Sequence, residues 1–69
     1  MAEFLARDVA RRACEVIRDS DRRTACIELL TRILIHGDSV KDEVRKEIRR
    51  MFTEEERKLL KQKLAELLG

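Results

Sequence analysis

The chain has 69 residues, 43% of them hydrophobic and 43% charged, with 16 basic side chains against 14 acidic and a formal net charge of +2. This length limits residues 1–69 to a single domain whose core is near the practical minimum, and the hydrophobic content excludes a disordered chain. The near balance of charge withholds most of the long-range attraction on which non-specific nucleic-acid binding depends.

Phe4 and Phe52 are the only aromatics, so the core must be assembled from Leu, Ile, Val and Ala. Domains this small commonly complete such a core with a disulfide, a metal or an oligomer. Asn and Pro are absent and Gln occurs once. Dense charge with few thermolabile amides fits a thermophile protein and, equally, an idealised design. No apolar run exceeds the Ile33-Leu34-Ile35 triplet, whereas a membrane-spanning helix needs about 20 apolar residues and a secretory signal about 7–15. The expected location is therefore the cytoplasm, with no membrane partner.

The hydrophobic pattern predicts an all-α fold: a small four-helix bundle of short amphipathic helices over about residues 3–18, 21–36, 39–52 and 54–68. In the first, Leu5, Ala6, Val9, Ala10, Ala13, Val16 and Ile17 share one arc of the helical wheel, opposite Arg7, Asp8, Arg11, Glu15 and Arg18. Asp19-Ser20-Asp21 then offers short acceptors for the free N–H groups of a new helix. The second helix carries Cys26, Ile27, Leu29, Leu30, Ile33 and Leu34. On one uninterrupted helix this arc would be turned roughly 120° from the first, so a turn near residue 20 is required.

His36-Gly37 suits a helix end, with glycine free to take the left-handed conformation. Ser39-Val40-Lys41-Asp42 reads as a capping-box variant opening the third helix, whose stripe is Val40, Val44, Ile48, Met51 and Phe52. Thr53-Glu54-Glu55-Glu56 fits the capping box directly, and Leu60, Leu64, Leu67 and Leu68 follow as the fourth stripe. The alternative at this last break is one helix over 39–68 with two opposed apolar faces. Glu3/Arg7, Asp8/Arg12, Asp42/Lys46 and Glu54/Lys58 stand in the favourable acid-before-base order for pairs within a helix.

Phe4, Ile35 and Leu59 project from the polar sides of their helices. Together with Phe52 at the third break they are the candidate interface residues of a self-association or partner-binding surface. The leading functional expectation is a non-enzymatic helical interaction module that pairs with itself as a homodimer or with another protein's helix.

Chemistry-bearing residues are few. Cys14, Cys26 and His36 are too widely spaced for a zinc site, which needs four ligands. A hairpin turning near residue 20 would set Cys14 opposite Cys26 as a thiol pair. Two small buried hydrophobes is the expected state in a reducing cytosol, with a bridge as the alternative, favoured by a hyperthermophilic source. His36 complements a helix C-terminus, Ser20 and Ser39 read as caps, and Gly37 cannot by itself cradle a phosphate. No catalytic set, metal site or cofactor is expected.

The second functional reading is a small nucleic-acid-associated regulator. It would use the basic helix 39–51, with Arg45, Lys46, Arg49 and Arg50 as contacts. Against it, Asp42, Glu43 and Glu47 lie on the same helix and repel phosphates.

Overall fold

In the computed structural model, which describes residues 2–69, the chain forms four helices that pack against one another, without strands among the described residues. They are α1 (Glu3–Ala13), α2 (Ser20–His36), α3 (Lys41–Met51) and α4 (Glu54–Leu68).

The first helix ends sooner than its periodicity suggests. After Ala13 the backbone tightens into a 3-10 turn over Cys14–Val16, and Ile17 is extended at φ −91°, ψ 119°. Two β-branched residues in succession, Val16 and Ile17, disfavour continued helix, and the extended backbone lets Ile17 enter the core with no exposed surface. The turn's free carbonyls are met from the next helix: Arg23 donates Nε–H to the Ile17 oxygen at 2.8 Å and Nη2–H to the Arg18 oxygen at 2.9 Å. Asp19 caps α2 by accepting from the Arg22 N–H at 2.8 Å.

The face of α1 turned inward consists of Ala6, Ala10 and Ala13. Leu5, one residue and therefore roughly 100° around the wheel from Ala6, remains half exposed. Small side chains let α1 lie close along α2, which is its most extensive contact. Across that contact Cys14 and Cys26 are joined in a disulfide with Cα atoms 6.0 Å apart. The expectation of two free thiols is thus corrected. Both side chains are buried as foreseen, and the hairpin brings them within bridging distance.

The Gly37 N–H closes α2 by donating to the Ile33 carbonyl, and its φ of 59° is the one positive value among the described residues. The capping box expected at Ser39 does not form. Ser39 lies within a 3-10 turn over Gly37–Ser39, where its hydroxyl donates to the His36 carbonyl at 3.0 Å. Val40 therefore stands at the N-cap of α3 without side-chain help.

Between α3 and α4 the chain is extended, with φ −121°, ψ 146° at Phe52 and φ −71°, ψ 165° at Thr53. This excludes the single 39–68 helix. The capping box at Thr53 is complete: its hydroxyl accepts from the Glu56 N–H at 3.1 Å, and the Glu56 carboxylate accepts from the Thr53 N–H at 2.9 Å. Arg22 of α2 locks the junction by donating to both Glu56 oxygens, at 2.8 and 2.7 Å, and to the carbonyl of Met51 at 3.2 Å. Its guanidinium also lies 5.7 Å from the centre of the Phe52 ring, within cation–π range. The hydrogen bond from Arg22, seconded by that from Thr53, holds the Glu56 carboxyl at about 2, below its ordinary 4.5. The same pair raises Arg22.

The core joins all four helices through Ala10, Ala13, Cys14, Ile17, Cys26, Leu29, Leu30, Val44, Phe52 and Leu60. Thr31 is buried with them and donates its hydroxyl to the Ile27 carbonyl at 2.6 Å, so its polar group is satisfied. Of the ion pairs expected within helices, only Asp8–Arg12 forms, at 3.2 Å. Arg7 reaches instead across to Glu28 of α2 at 3.4 Å. Exposed pairs are weak enough for either choice.

Thiol titration of the unfolded, unreduced protein should find no free thiol. Closing a loop with a sequence separation of 12, the bridge should contribute about 3 kcal/mol, so Cys14→Ser/Cys26→Ser should lose that much in denaturant unfolding. A depressed carboxyl stabilises the fold above its unfolded value and ceases to do so as it is protonated. The contribution of Glu56 should accordingly be intact above about pH 4.5 and vanish as pH falls through about 2. In Glu56→Gln, stability should be lower at neutral pH and should change less across that interval.

Candidate functional site

α3 and α4 repeat one short arrangement: Arg45-x-x-Ile48-Arg49 and Arg57-x-x-Leu60-Lys61. Residues three and four apart share a face of a helix, so each helix presents an aliphatic side chain beside two cations one turn apart. The break at Phe52-Thr53 folds the two helices back, and both arrangements line the same groove, of about 440 Å³. Leu30 and Ile33 of α2 and Leu64 of α4 complete its apolar lining.

The groove carries Arg45, Arg49, Arg57 and Lys61 and no acidic side chain. Elsewhere, among the described residues, some cations are neutralised within the chain, as in Arg7–Glu28, Arg32–Glu43 and Arg50–Glu47, and others, such as Arg11 and Lys46, are not; the groove differs in gathering four cations without an acid. Among the described residues, none of the four groove cations lies within ion-pairing distance of a carboxylate. Arg57 donates only to a backbone oxygen, that of Thr53, at 3.4 Å. The groove therefore offers an aliphatic floor, for apolar groups, and a cationic border, for anionic ones. Its lining, aliphatic and basic, contains no Ser, Thr, Cys, His, Asp or Glu.

The residues expected to form a nucleic-acid surface divide. Arg45 and Arg49 line the groove; Lys46 and Arg50 do not, and Arg50 is paired with Glu47 at 2.7 Å. Arg57 and Lys61 lie on the fourth helix, outside the basic helix 39–51 to which the sequence pointed. The repeated basic-x-x-aliphatic-basic spacing is the signal that identifies them.

The candidate interface residues also part company. Phe4 is 74% exposed, in a shallow hollow with Leu5, Arg7, Asp8 and Arg11. Leu59, 46% exposed, lies in another with Glu55, Lys58 and Gln62. Ile35 is half-buried, outside the core cluster. Phe52 is a correction: only 4% exposed, it belongs to the core. The extended backbone at the break turns its ring inward beneath Arg22. No three His, Cys, Asp or Glu side chains among the described residues gather as a metal site.

No protein family, curated protein or solved structure matches the chain. No helix among the described residues is long and apolar enough to cross a membrane.

Substitutions should separate core from surface among the former interface candidates. Phe52→Ala should destabilise by about 3–5 kcal/mol, enough to unfold much of so small a domain. Phe4→Ser and Leu59→Ser should each stay within about 0.5 kcal/mol of the parent. Thermal and denaturant unfolding measure all three.

Proposed function

We propose that the chain is a non-enzymatic protein-interaction module that receives one face of a partner's helix in the groove between α2, α3 and α4. One observation carries this reading: an open aliphatic groove whose four flanking cations have no carboxylate partner within the chain. A contiguous apolar surface with a polar border is a common mark of an interaction site. Aliphatic floors lined at helical spacing receive the i, i+3, i+4 and i+7 side chains of an amphipathic helix. A lining of aliphatic and basic side chains alone, and the engagement of both cysteines in a bridge, support a binding role over a catalytic one.

A partner other than a second copy is favoured. Phe4 and Leu5 share their hollow with two cations, Arg7 and Arg11, against one acid, Asp8, so that face offers the groove's four cations no net negative charge. Phe4 and Leu59 lie in separate hollows, whereas a two-fold dimer needs one self-complementary patch.

The nucleic-acid reading stands second, supported by the four uncompensated cations. It is weakened by a lining without an aromatic side chain on which a base could stack. The buried Cys14–Cys26 bridge favours a setting that preserves disulfides over an ordinary reducing cytosol. A hyperthermophile's cytoplasm would satisfy this together with the dense charge and scarce amides.

Titration with a panel of amphipathic helical peptides, followed by backbone-amide NMR, should shift the signals of Leu30, Ile33, Ile48, Leu60 and Leu64 and their neighbours. Leu64→Asp should abolish the shifts. A panel that leaves the groove unmoved whatever its flanking charge would overturn the reading. Sedimentation should find a monomer across concentration; a dimer dissociated by Phe4→Asp or Leu59→Asp would transfer the function to self-association.

A further inference from the structure

The groove's charge specifies its occupant more narrowly than its apolar floor does. Arg45 and Arg49 stand one turn apart on α3, and Arg57 and Lys61 stand one turn apart on α4. Ile33, Ile48 and Leu64, each half-buried, supply apolar surface from three helices to the same groove, above the core residues Leu30 and Leu60. A helix laid in it meets cations supplied by both α3 and α4. We infer that the partner segment is an acidic amphipathic helix, with an aliphatic seam flanked by Glu or Asp on both sides. This rests on the protein-interaction reading above and adds the identity of the segment.

The match is one of spacing as well as sign. Residues four apart rise about 6 Å along a helix, so cations at i and i+4 on α3 and α4 face carboxylates at i and i+4 on the incoming helix. The arrangement is that of a coiled-coil seam, where apolar core positions are bordered by charges that select partner and orientation. From Arg57 to Leu64 the floor runs about 10 Å, some two helical turns, which fits a short helical segment laid on the surface.

Other occupants answer to parts of the site only. A neutral amphipathic helix would fill the floor and leave four cations uncompensated at its flanks, with the loss of attraction that implies. A nucleic acid would answer the cations but lay phosphates and sugars over aliphatic side chains. A second copy of the chain offers exposed apolar residues in hollows without net negative charge: Arg7 and Arg11 with Asp8 beside Phe4, and Lys58 with Glu55 beside Leu59. Only the acidic helix satisfies floor and border together.

Three synthetic 18-residue peptides with one leucine seam and flanks of Glu, Gln or Lys provide the probe, with a fluorescein-labelled DNA duplex as the fourth ligand. Anisotropy at low salt should rank Glu above Gln by at least about tenfold, with no binding by the Lys peptide. The preference should shrink as salt rises. Arg45→Glu/Lys61→Glu exchanges one exposed cation on each helix. It should weaken the Glu peptide about tenfold and abolish its preference over the Gln peptide, with the helical circular dichroism and melting of the parent retained.

Equal affinity for the Glu and Gln peptides overturns this inference while leaving the interaction module intact. Failure of all three peptides removes the module itself. Binding of the duplex more tightly than the Glu peptide, lost in the same double variant, replaces both readings with nucleic-acid recognition.

Discussion

Arg22 spans from the first turn of α2 to the start of α4, and its two parallel hydrogen bonds to Glu56 hold the one junction on which the groove depends. Glu56 is at the same time the third residue of α4 and completes the capping box that begins it, so a single carboxylate both caps the helix and anchors it to α2. A third bond from Arg22 takes the Met51 carbonyl freed where α3 stops. Bidentate arginine–carboxylate geometry is among the stronger forms of ion pairing. Here the pair is partly shielded, and the buried Phe52 ring lies near the guanidinium. The geometric consequence exceeds the energetic one. On a straight helix, Arg45-Ile48-Arg49 and Arg57-Leu60-Lys61 would be about 120° apart. Extended backbone at Phe52 and Thr53 brings them to one cavity.

The bundle divides its means of stabilisation between its halves. Ala6, Ala10 and Ala13 let α1 approach α2 closely, and alanine contributes little apolar area on burial. The disulfide is placed where that contribution is smallest, and it acts chiefly by restricting the unfolded chain. The α3–α4 half has Val44, Phe52 and Leu60 in the core, with Ile48, Met51, Leu64 and Leu67 packed partly buried against it. Having larger side chains, it can leave part of its aliphatic surface open as a groove while the crosslinked half holds the remainder of the fold.

Much of this was legible in the sequence. The phase changes of the hydrophobic stripe located the breaks, and Asp19, Gly37 and Thr53 act at helix ends as their chemistry suggests. The misreadings arise where a tertiary contact outweighs local preference. Ser39 is a good cap by composition but folds into a 3-10 turn, where its hydroxyl meets His36 instead. Arg7 could have paired with Glu3 yet reaches Glu28 on the neighbouring helix. Phe52 fits the third apolar stripe and, standing at the break, also the candidate interface; it is buried because the backbone around it is extended and Arg22 spans the gap. Helical periodicity assigns a face only while the helix continues, so a residue at a break is the one whose direction it cannot give.

Charge shows the same difference between local and global reading. A net charge of +2 from 16 basic and 14 acidic side chains describes a nearly neutral molecule and argues against polyanion binding by the chain as a whole. Pairing redistributes that balance. Arg7, Arg12, Arg22, Arg32, Arg50 and Lys63 are answered by Glu28, Asp8, Glu56, Glu43, Glu47 and Glu66. Asp42, Glu54 and Glu55 are exposed and lie outside the groove. What the groove sees is four cations without an acid, beside low-dielectric aliphatic walls that strengthen their field. A ligand responds to that local field far more than to the sum over the chain, since charges beyond about 8–10 Å are screened at physiological salt. The composition that discourages polyanion binding over the whole surface is therefore compatible with charge-selective recognition at one place, provided the ligand is short, acidic and apolar along one face.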